Sequence, residues 1–190
     1  MLDVVIIGAG PAGGSAAIFV AKAGKKVVVI DNDKGLTRRA WLENHYGAEA
    51  LSGPDLLAIG RSQAEKFGAV FVDDRAMMIE ATADGLQVKT EQANVYEAKH
   101  VIIASGFGMD VVTASGINTA PGREPKVATV VAVDSDGRTS MPGVWAAGTG
   151  AGTSMHTIIT AGDGAKVAIN VISELNGERY VDHDVFKPTM

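Results

Sequence analysis

A three-layer α/β domain with a parallel central sheet and a small β-meander is the fold class that this sequence predicts. Three observations carry it. Short continuous apolar runs at 4–7, 27–30, 101–104 and 144–147 read as buried strands. A glycine-rich loop and a small-residue helix join the first two runs, and a crossover of that length nearly obliges a parallel pair. The composition, 46% hydrophobic and 21% charged over 190 residues, is that of an ordinary globular chain with a self-sufficient core.

The elements follow in order. After the first strand comes Gly8-Ala9-Gly10-Pro11-Ala12-Gly13-Gly14, then a helix over 15–23 stopped by Gly24, then a second strand ending in Asp31. Residues 32–52 read as irregular. Ser52 is the expected N-cap of a helix with Pro54 and Asp55 in its first turn, running to Phe67 and ended by Gly68. A short strand at 70–72 precedes an antiparallel three-strand meander at 76–81, 86–90 and 94–98, with Asp84-Gly85 as one turn. The strand at 101–104 closes on Ser105-Gly106. The Gly-, Ser-, Thr- and Pro-rich stretch 106–126 reads as a connector, and 127–133 as a strand. The last buried strand runs into Gly148-Thr149-Gly150-Ala151-Gly152, and a long helix spans 155–175, ending near Asn176-Gly177. The tail after Tyr180 is polar and expected to be loosely held. One domain over 1–190 is expected.

Composition excludes several function classes. The formal net charge is −5 and no Lys/Arg run exceeds two residues, which argues against nucleic acid or an anionic membrane as partner. No cysteine is present, so disulfides, thiolate metal sites and a CxxC redox centre are excluded; the four scattered histidines suggest no zinc site. No apolar stretch is long enough to span a membrane, and no signal peptide is read at the start, so a cytoplasmic location is the default expectation.

The spacing Gly8-x-Gly10-x-x-Gly13 lies between a buried strand and a helix, where a dinucleotide-binding loop needs it. The first glycine permits the tight turn, the second lets backbone approach a pyrophosphate, and the third lets helix and strand pack closely. Free amides and the helix dipole then stabilise phosphate charge. Asp31, 18 residues beyond Gly13, suits a carboxylate accepting from both ribose hydroxyls and repels a 2′-phosphate. The second glycine element, after the strand Val144-Trp145-Ala146-Ala147, precedes another helix whose N-terminus would stabilise electron density on a reduced flavin ring, favouring FAD over NAD.

On these residues the chain resembles the FAD domain of low-molecular-weight thioredoxin reductases. The matching stretches are GAGPAG at 8–13, LENHYG at 42–47, SGPDLLAIGRSQAEKFGA at 52–69, VIIASG at 101–106, TSMPGVWAAG at 139–148 and TAGDGAKVA at 160–168. The resemblance implies that Gly8, Gly10, Gly13 and Asp31 hold the pyrophosphate and adenosine ribose, that Asn44 approaches the flavin, and that Gly148 lies by the ribityl chain. It implies that amides at His156 and Thr157 meet the pyrimidine end of the ring, and that Ala76 and Met77 pass near the adenine. The candidate cofactor-binding set is Gly8, Gly10, Pro11, Ala12, Gly13, Asp31, Asn32, Arg38, Arg39, Asn44, Ala76, Met77, Ala104, Ser105, Gly106, Gly148, Thr149, His156 and Thr157.

Four departures accompany the resemblance. Residues 107–126 stand where the family inserts an NADPH domain and are too short for a βαβ unit; the CxxC of that domain is missing too. Thr149 replaces a family aspartate. Leu36-Thr37-Arg38-Arg39-Ala40 replaces a Gly-Gly-Gln turn and threonine run beside the flavin.

Each remaining candidate has two readings. Arg38 and Arg39 either stabilise an anionic reduced flavin or anionic substrate, or form a solvated loop pair. His156, Arg39 and His45 are the candidate catalytic groups, against solvated or capping roles. His100 and His183 read as structural or surface, and Trp41 and Trp145 as packing residues. Gly162-Asp163-Gly164 inside the last helix reads as a close approach to cofactor or backbone, with Asp163 a candidate polar contact. Three functions follow: an FAD-dependent oxidoreductase using an external electron donor, nicotinamide or redox protein; an FAD-holding subunit or redox sensor working with a partner; or an NAD-binding protein. The resemblance also implies a homodimer.

Overall fold

The structure is a computed structural model and describes residues 1–186. Its elements are β1 (Leu2–Ile7), α1 (Pro11–Lys22), β2 (Val27–Asp31), a 3₁₀ turn (Leu36–Arg39), β3 (Trp41–Leu42), β4 (Leu51–Ser52), α2 (Gly53–Lys66) and β5 (Val70–Asp73). Then come β6 (Ala76–Ala81), β7 (Leu86–Thr90), β8 (Val95–Ile103), α3 (Asp110–Ala114), β9 (Thr119–Pro121), β10 (Thr129–Val131), β11 (Val144–Ala146), a second 3₁₀ turn (Thr149–Ala151) and α4 (Thr157–Asn176). No helix among the described residues is long and apolar enough to cross a membrane.

A seven-stranded sheet organises the molecule, in the order β5-β2-β1-β8-β7-β6, with β11 also pairing β8. The β2-β1-β8 core is parallel, with Val5 opposite both Val28 and Val101. β8 carries two neighbours on one edge. Its first half pairs antiparallel with β7, Leu86 opposite Ala98, and its second half pairs parallel with β11, Val144 opposite Val101. The sheet forks there, so the parallel body and the antiparallel ribbon share one strand.

Side chains alternate between two cores, as a strand buried on both faces demands. Val4, Ile6, Val29, Ile102 and Trp145 pack under α1 and α4; Val5, Ile7, Ile30, Ile103 and Val144 pack against β6, β7, α3 and β10. Each such Val or Ile contributes about 1.5–3 kcal/mol by leaving water. α1 presents Ala12, Gly13, Ala16, Ala17 and Val20, and that small-residue face lets α4 lie close against it. Ser52 caps α2, its Oγ accepting from Asp55 N–H at 3.1 Å.

The structure corrects several expectations. Residues 94–98 and 101–104 are not separate strands but one, β8. α1 begins at Pro11 rather than at residue 15. The irregular stretch 32–52 contains a 3₁₀ turn and the two-residue β3–β4 hairpin, and Trp41 on it is 65% exposed, so it is not a packing residue. The connector 107–126 holds α3 and β9, and β9 pairs antiparallel with β10, the remnant of the strand expected at 127–133. The tail is tied down at Asp182 and Asp184, both paired with Lys22 Nζ at 2.9 and 2.7 Å; residues 187–190 lie outside the described residues.

Trp145 is fully buried, and its Nε1–H donates to His100 Nδ1 at 3.2 Å while the Arg138 guanidinium stacks on its ring. Burial pushes the His100 imidazole below its ordinary value, with Glu174 opposing and Lys99 and Arg138 reinforcing. Below about pH 6.5 the unfolded chain takes up a proton that the folded one refuses until a lower pH, so stability falls as pH drops through that window. His100→Gln keeps a neutral acceptor for the indole and is expected to flatten this slope. Thermal melts near about pH 7.5 and about pH 5.5 check it; an undiminished difference in the variant would assign the slope to another group.

Candidate functional site

Three loops converge at the carboxyl ends of β1, β8 and β11. Gly8 leaves β1 with φ +101°, and a Cβ there would lie 2.5 Å from the Ala104 carbonyl oxygen at the end of β8. Ala104 N–H in turn donates to Ile7 O at 2.8 Å. A Cβ on Gly150 would lie 2.7 Å from the Gly106 carbonyl oxygen, so the loops after β8 and β11 abut. Gly8, Ala104, Ser105, Gly106, Gly148 and Thr149 are thus brought together into one floor.

Within the first loop the glycines divide their work. A Cβ on Gly13 would lie 1.8 Å from the Gly8 carbonyl oxygen, whereas one on Gly10 would meet nothing within 4 Å. Gly13 therefore serves packing, and Gly10 keeps the mouth of α1 clear. Asp31 anchors the loop from β2: its Oδ1 accepts from Ala9 N–H at 3.0 Å and its Oδ2 from Asp33 N–H at 3.2 Å. The carboxylate thus lies at the glycine turn itself, with a geometry the sequence spacing alone did not give.

The second glycine turn is held from α4. Gly148 leaves β11 with φ +76°, and its N–H donates to Asp163 Oδ2 at 2.8 Å. His156 stands at the N-cap of α4, exposed, with Nδ1 2.9 Å from Ser154 Oγ. Thr157 is buried, and its Oγ1 lies 2.9 Å from His45 Nδ1, which ties the loop around residue 45 to the start of α4.

A cleft of about 580 Å³ opens beside the α1 N-terminus, within the range of small-molecule sites. Of the sequence-predicted residues, Gly10, Pro11, Asp31, Arg38 and His45 line it. Gly8, Ala12, Gly13, Ala104, Ser105, Gly106, Gly148, Thr149, His156 and Thr157 do not line it. Asn32, Arg39 and Asn44 are exposed on the adjoining loops, Ala76 is buried in the core that holds Val5 and Ile103, and Met77 is exposed; none of these lines the cleft. Arg38 is ion-paired with Asp33, so it does not stand as a bare cation. Sequence reasoning missed Asp33, a non-glycine residue at φ +60°, and Asp73, whose place at the end of β5 opposite Asp31 follows from the parallel register. It also missed Ser15 and Ile18 on α1 and Leu57, Arg61 and Phe71 on the far wall. A carboxylate closing a predicted strand was the available signal for Asp73.

This convergence of glycine turns at the ends of parallel strands, with an acid closing the second strand, is that of the Rossmann-like dinucleotide-binding α/β class. The model of the family "Pyridine nucleotide-disulphide oxidoreductase" matches residues 2–130, and the chain belongs to that family. It is similar to a thioredoxin reductase of Aquifex aeolicus (strain VF5), 42% identical over 110 residues, 55% of this chain and 33% of that protein. It is likewise similar to one of Listeria monocytogenes serovar 1/2a (strain ATCC BAA-679 / EGD-e), 34% identical over 126 residues, 64% and 39% of the two chains. The chain therefore spans about a third of the length of the curated relatives it matches. In fold it is similar to a thioredoxin reductase from Gloeobacter violaceus, with TM-score 0.78 and 18% identity over 98% of this chain and 99% of that one. An atypical thioredoxin reductase from Desulfovibrio vulgaris Hildenborough gives 0.76 and 21% over 94% and 99%. The chain thus combines membership of that family with a partial sequence likeness, and a likeness in fold, to thioredoxin reductases.

Proposed function

We propose that the chain is an FAD-binding oxidoreductase domain that exchanges electrons with an external donor or acceptor. The observation that carries the reading is the division between Gly13 and Gly10: the loop is jammed against its own backbone on one side and clear of atoms at the α1 mouth on the other. Such a side-chain-free helix N-terminus fits a diphosphate. Asp31 would hold the adenosine ribose, and the floor of Ala104 to Gly106 and Gly148 to Thr149 would run under the rest of the cofactor. The start of α4 would direct its amides at His156 and Thr157 toward the ring.

FAD, when bound, supplies hydride and single-electron transfer. The chain's own residues bind and orient. Arg38, at the cleft, would exchange its Asp33 partner for an anionic group on the ligand, a switch that keeps the guanidinium placed without leaving it unpaired. Two features favour an external electron donor. The 190 residues contain no cysteine, and the segment between β8 and β11 is occupied by α3 and the β9–β10 hairpin.

The purified protein is expected to take up FAD and to display the two-banded flavin absorbance. Asp31→Ala should weaken FAD retention by about 10- to 100-fold, the loss of hydrogen bonds to a charged group, and Asp31→Asn by less. Fluorescence titration of the apoprotein measures both. Uptake of NAD with no uptake of FAD would overturn the reading. Anaerobic mixing with NADH or NADPH then asks whether the flavin bleaches without a protein partner.

A further inference from the structure

α4 carries Gly162-Asp163-Gly164 in its interior, where an uninterrupted run of helix formers would serve the helix better. Gly164 is seated on α1: a Cβ there would lie 2.0 Å from the Ala12 carbonyl oxygen. Gly148, in the second glycine turn, abuts the same residue, since a Cβ on it would lie 2.8 Å from Ala12 Cβ. Asp163 is largely enclosed, its side chain 12% exposed. Its Oδ2 accepts from Gly148 N–H at 2.8 Å and from Thr153 Oγ1–H at 2.9 Å, so one oxygen spans both ends of the turn. Its Oδ1 faces Lys166 Nζ at 2.8 Å.

A single turn of α4 therefore grips both glycine loops, one through the absent side chain of Gly164 and one through the carboxylate of Asp163. We propose that Asp163 is a positioning residue that fixes the 148–153 turn at a set distance from the first glycine loop, so that ligand affinity at the α1 mouth depends on a carboxylate that does not line the cleft. The inference rests on the FAD reading for its binding arm alone. Because both turn-holding bonds end on one oxygen, an asparagine can reproduce them with its single carbonyl oxygen, whereas an alanine loses both.

The experiment compares Asp163→Ala, Asp163→Asn and Lys166→Gln by amide hydrogen exchange without ligand and by FAD titration. Asp163→Ala should raise exchange across 148–153, Gly148 N–H above all, by on the order of 10-fold. It should weaken FAD binding by about 10- to 100-fold and shift the bound-flavin absorbance. Asp163→Asn should restore exchange, affinity and spectrum to within about 3-fold of the parent, and Lys166→Gln should leave all of them there. Parent-like exchange and affinity in Asp163→Ala would overturn the proposal. So would an Asp163→Asn variant as impaired as the alanine, which would make charge rather than bond geometry the active property. Should the parent protein take up no FAD, the functional reading above fails, and the positioning role is decided by exchange alone.

Discussion

Gly13→Ala is expected to lower the melting temperature by roughly 10 °C, while Gly10→Ala, three residues earlier in the same loop, shifts it by no more than about 3 °C. The contrast comes from what each new methyl meets. At Gly13 it would lie 1.8 Å from the Gly8 carbonyl oxygen, a backbone atom at the end of β1, and 3.3 Å from Ala104 Cβ at the end of β8. No side-chain rotation relieves that contact, so the loop or α1 must shift, at about 3 kcal/mol or more. At Gly10 the methyl meets nothing within 4 Å, and the backbone, at φ −65°, accepts any residue. The remaining penalty is that alanine is a poorer N-cap than glycine, worth about 0.5–1 kcal/mol. In the ligand-bound protein the order reverses. The Gly10 methyl projects where a diphosphate would approach, so Gly10→Ala is expected to weaken FAD binding by at least about 10-fold with the fold intact. Thermal melts of the apoproteins and flavin titrations of both variants check the pair. A Gly13→Ala protein that melts like the parent would contradict the close packing, and unimpaired FAD binding in Gly10→Ala would move the diphosphate away from α1.

Much of this site was legible in the sequence because its requirements are local. The strands β1, β2 and β11 announce themselves as uninterrupted apolar runs, and Gly8, Gly10 and Gly13 occupy fixed offsets from β1. β8 reads as two strands in the sequence for a physical reason. Its first half has one solvated face and alternates, whereas its second half is buried on both faces, Ile102 in one core and Val101 and Ile103 in the other. A pattern that changes within one strand looks like two elements. The sequence places the start of α1 late because Pro-Ala-Gly-Gly-Ser has poor helix propensity, which packing against α4 overrides. The long-range partners of single carboxylates were invisible. Asp74 is buried and accepts from Arg75 N–H at 2.7 Å and Asn94 Nδ2–H at 3.1 Å, twenty residues away in the last case. Asp163 stands out in the sequence as a carboxylate between two helix glycines, but nothing in its neighbours along the chain points to the amide of Gly148.

Two glycines of α4, a residue apart from Asp163 on either side, are expected to respond to alanine with opposite sign. Gly162 is exposed and a Cβ there would meet nothing within 4 Å. Gly162→Ala removes a helix-interior glycine and should stabilise by about 1 kcal/mol, raising the melting temperature by roughly 2–4 °C. Gly164→Ala gains the same propensity and loses far more, because its methyl would lie 2.0 Å from the Ala12 carbonyl oxygen and 2.7 Å from the carbon that bears it. Relieving that contact means prising α4 from α1, whose small-residue interface caps the core of Val4, Ile6 and Trp145. A net loss of about 3 kcal/mol or more follows, a fall in melting temperature of roughly 10 °C. Propensity and packing thus compete on one helix within three residues, and packing wins only where α1 is near. If both substitutions raised the melting temperature, α4 could not be seated on Ala12, and the coupling of the two glycine turns through Asp163 and Gly164 would lose its mechanical basis.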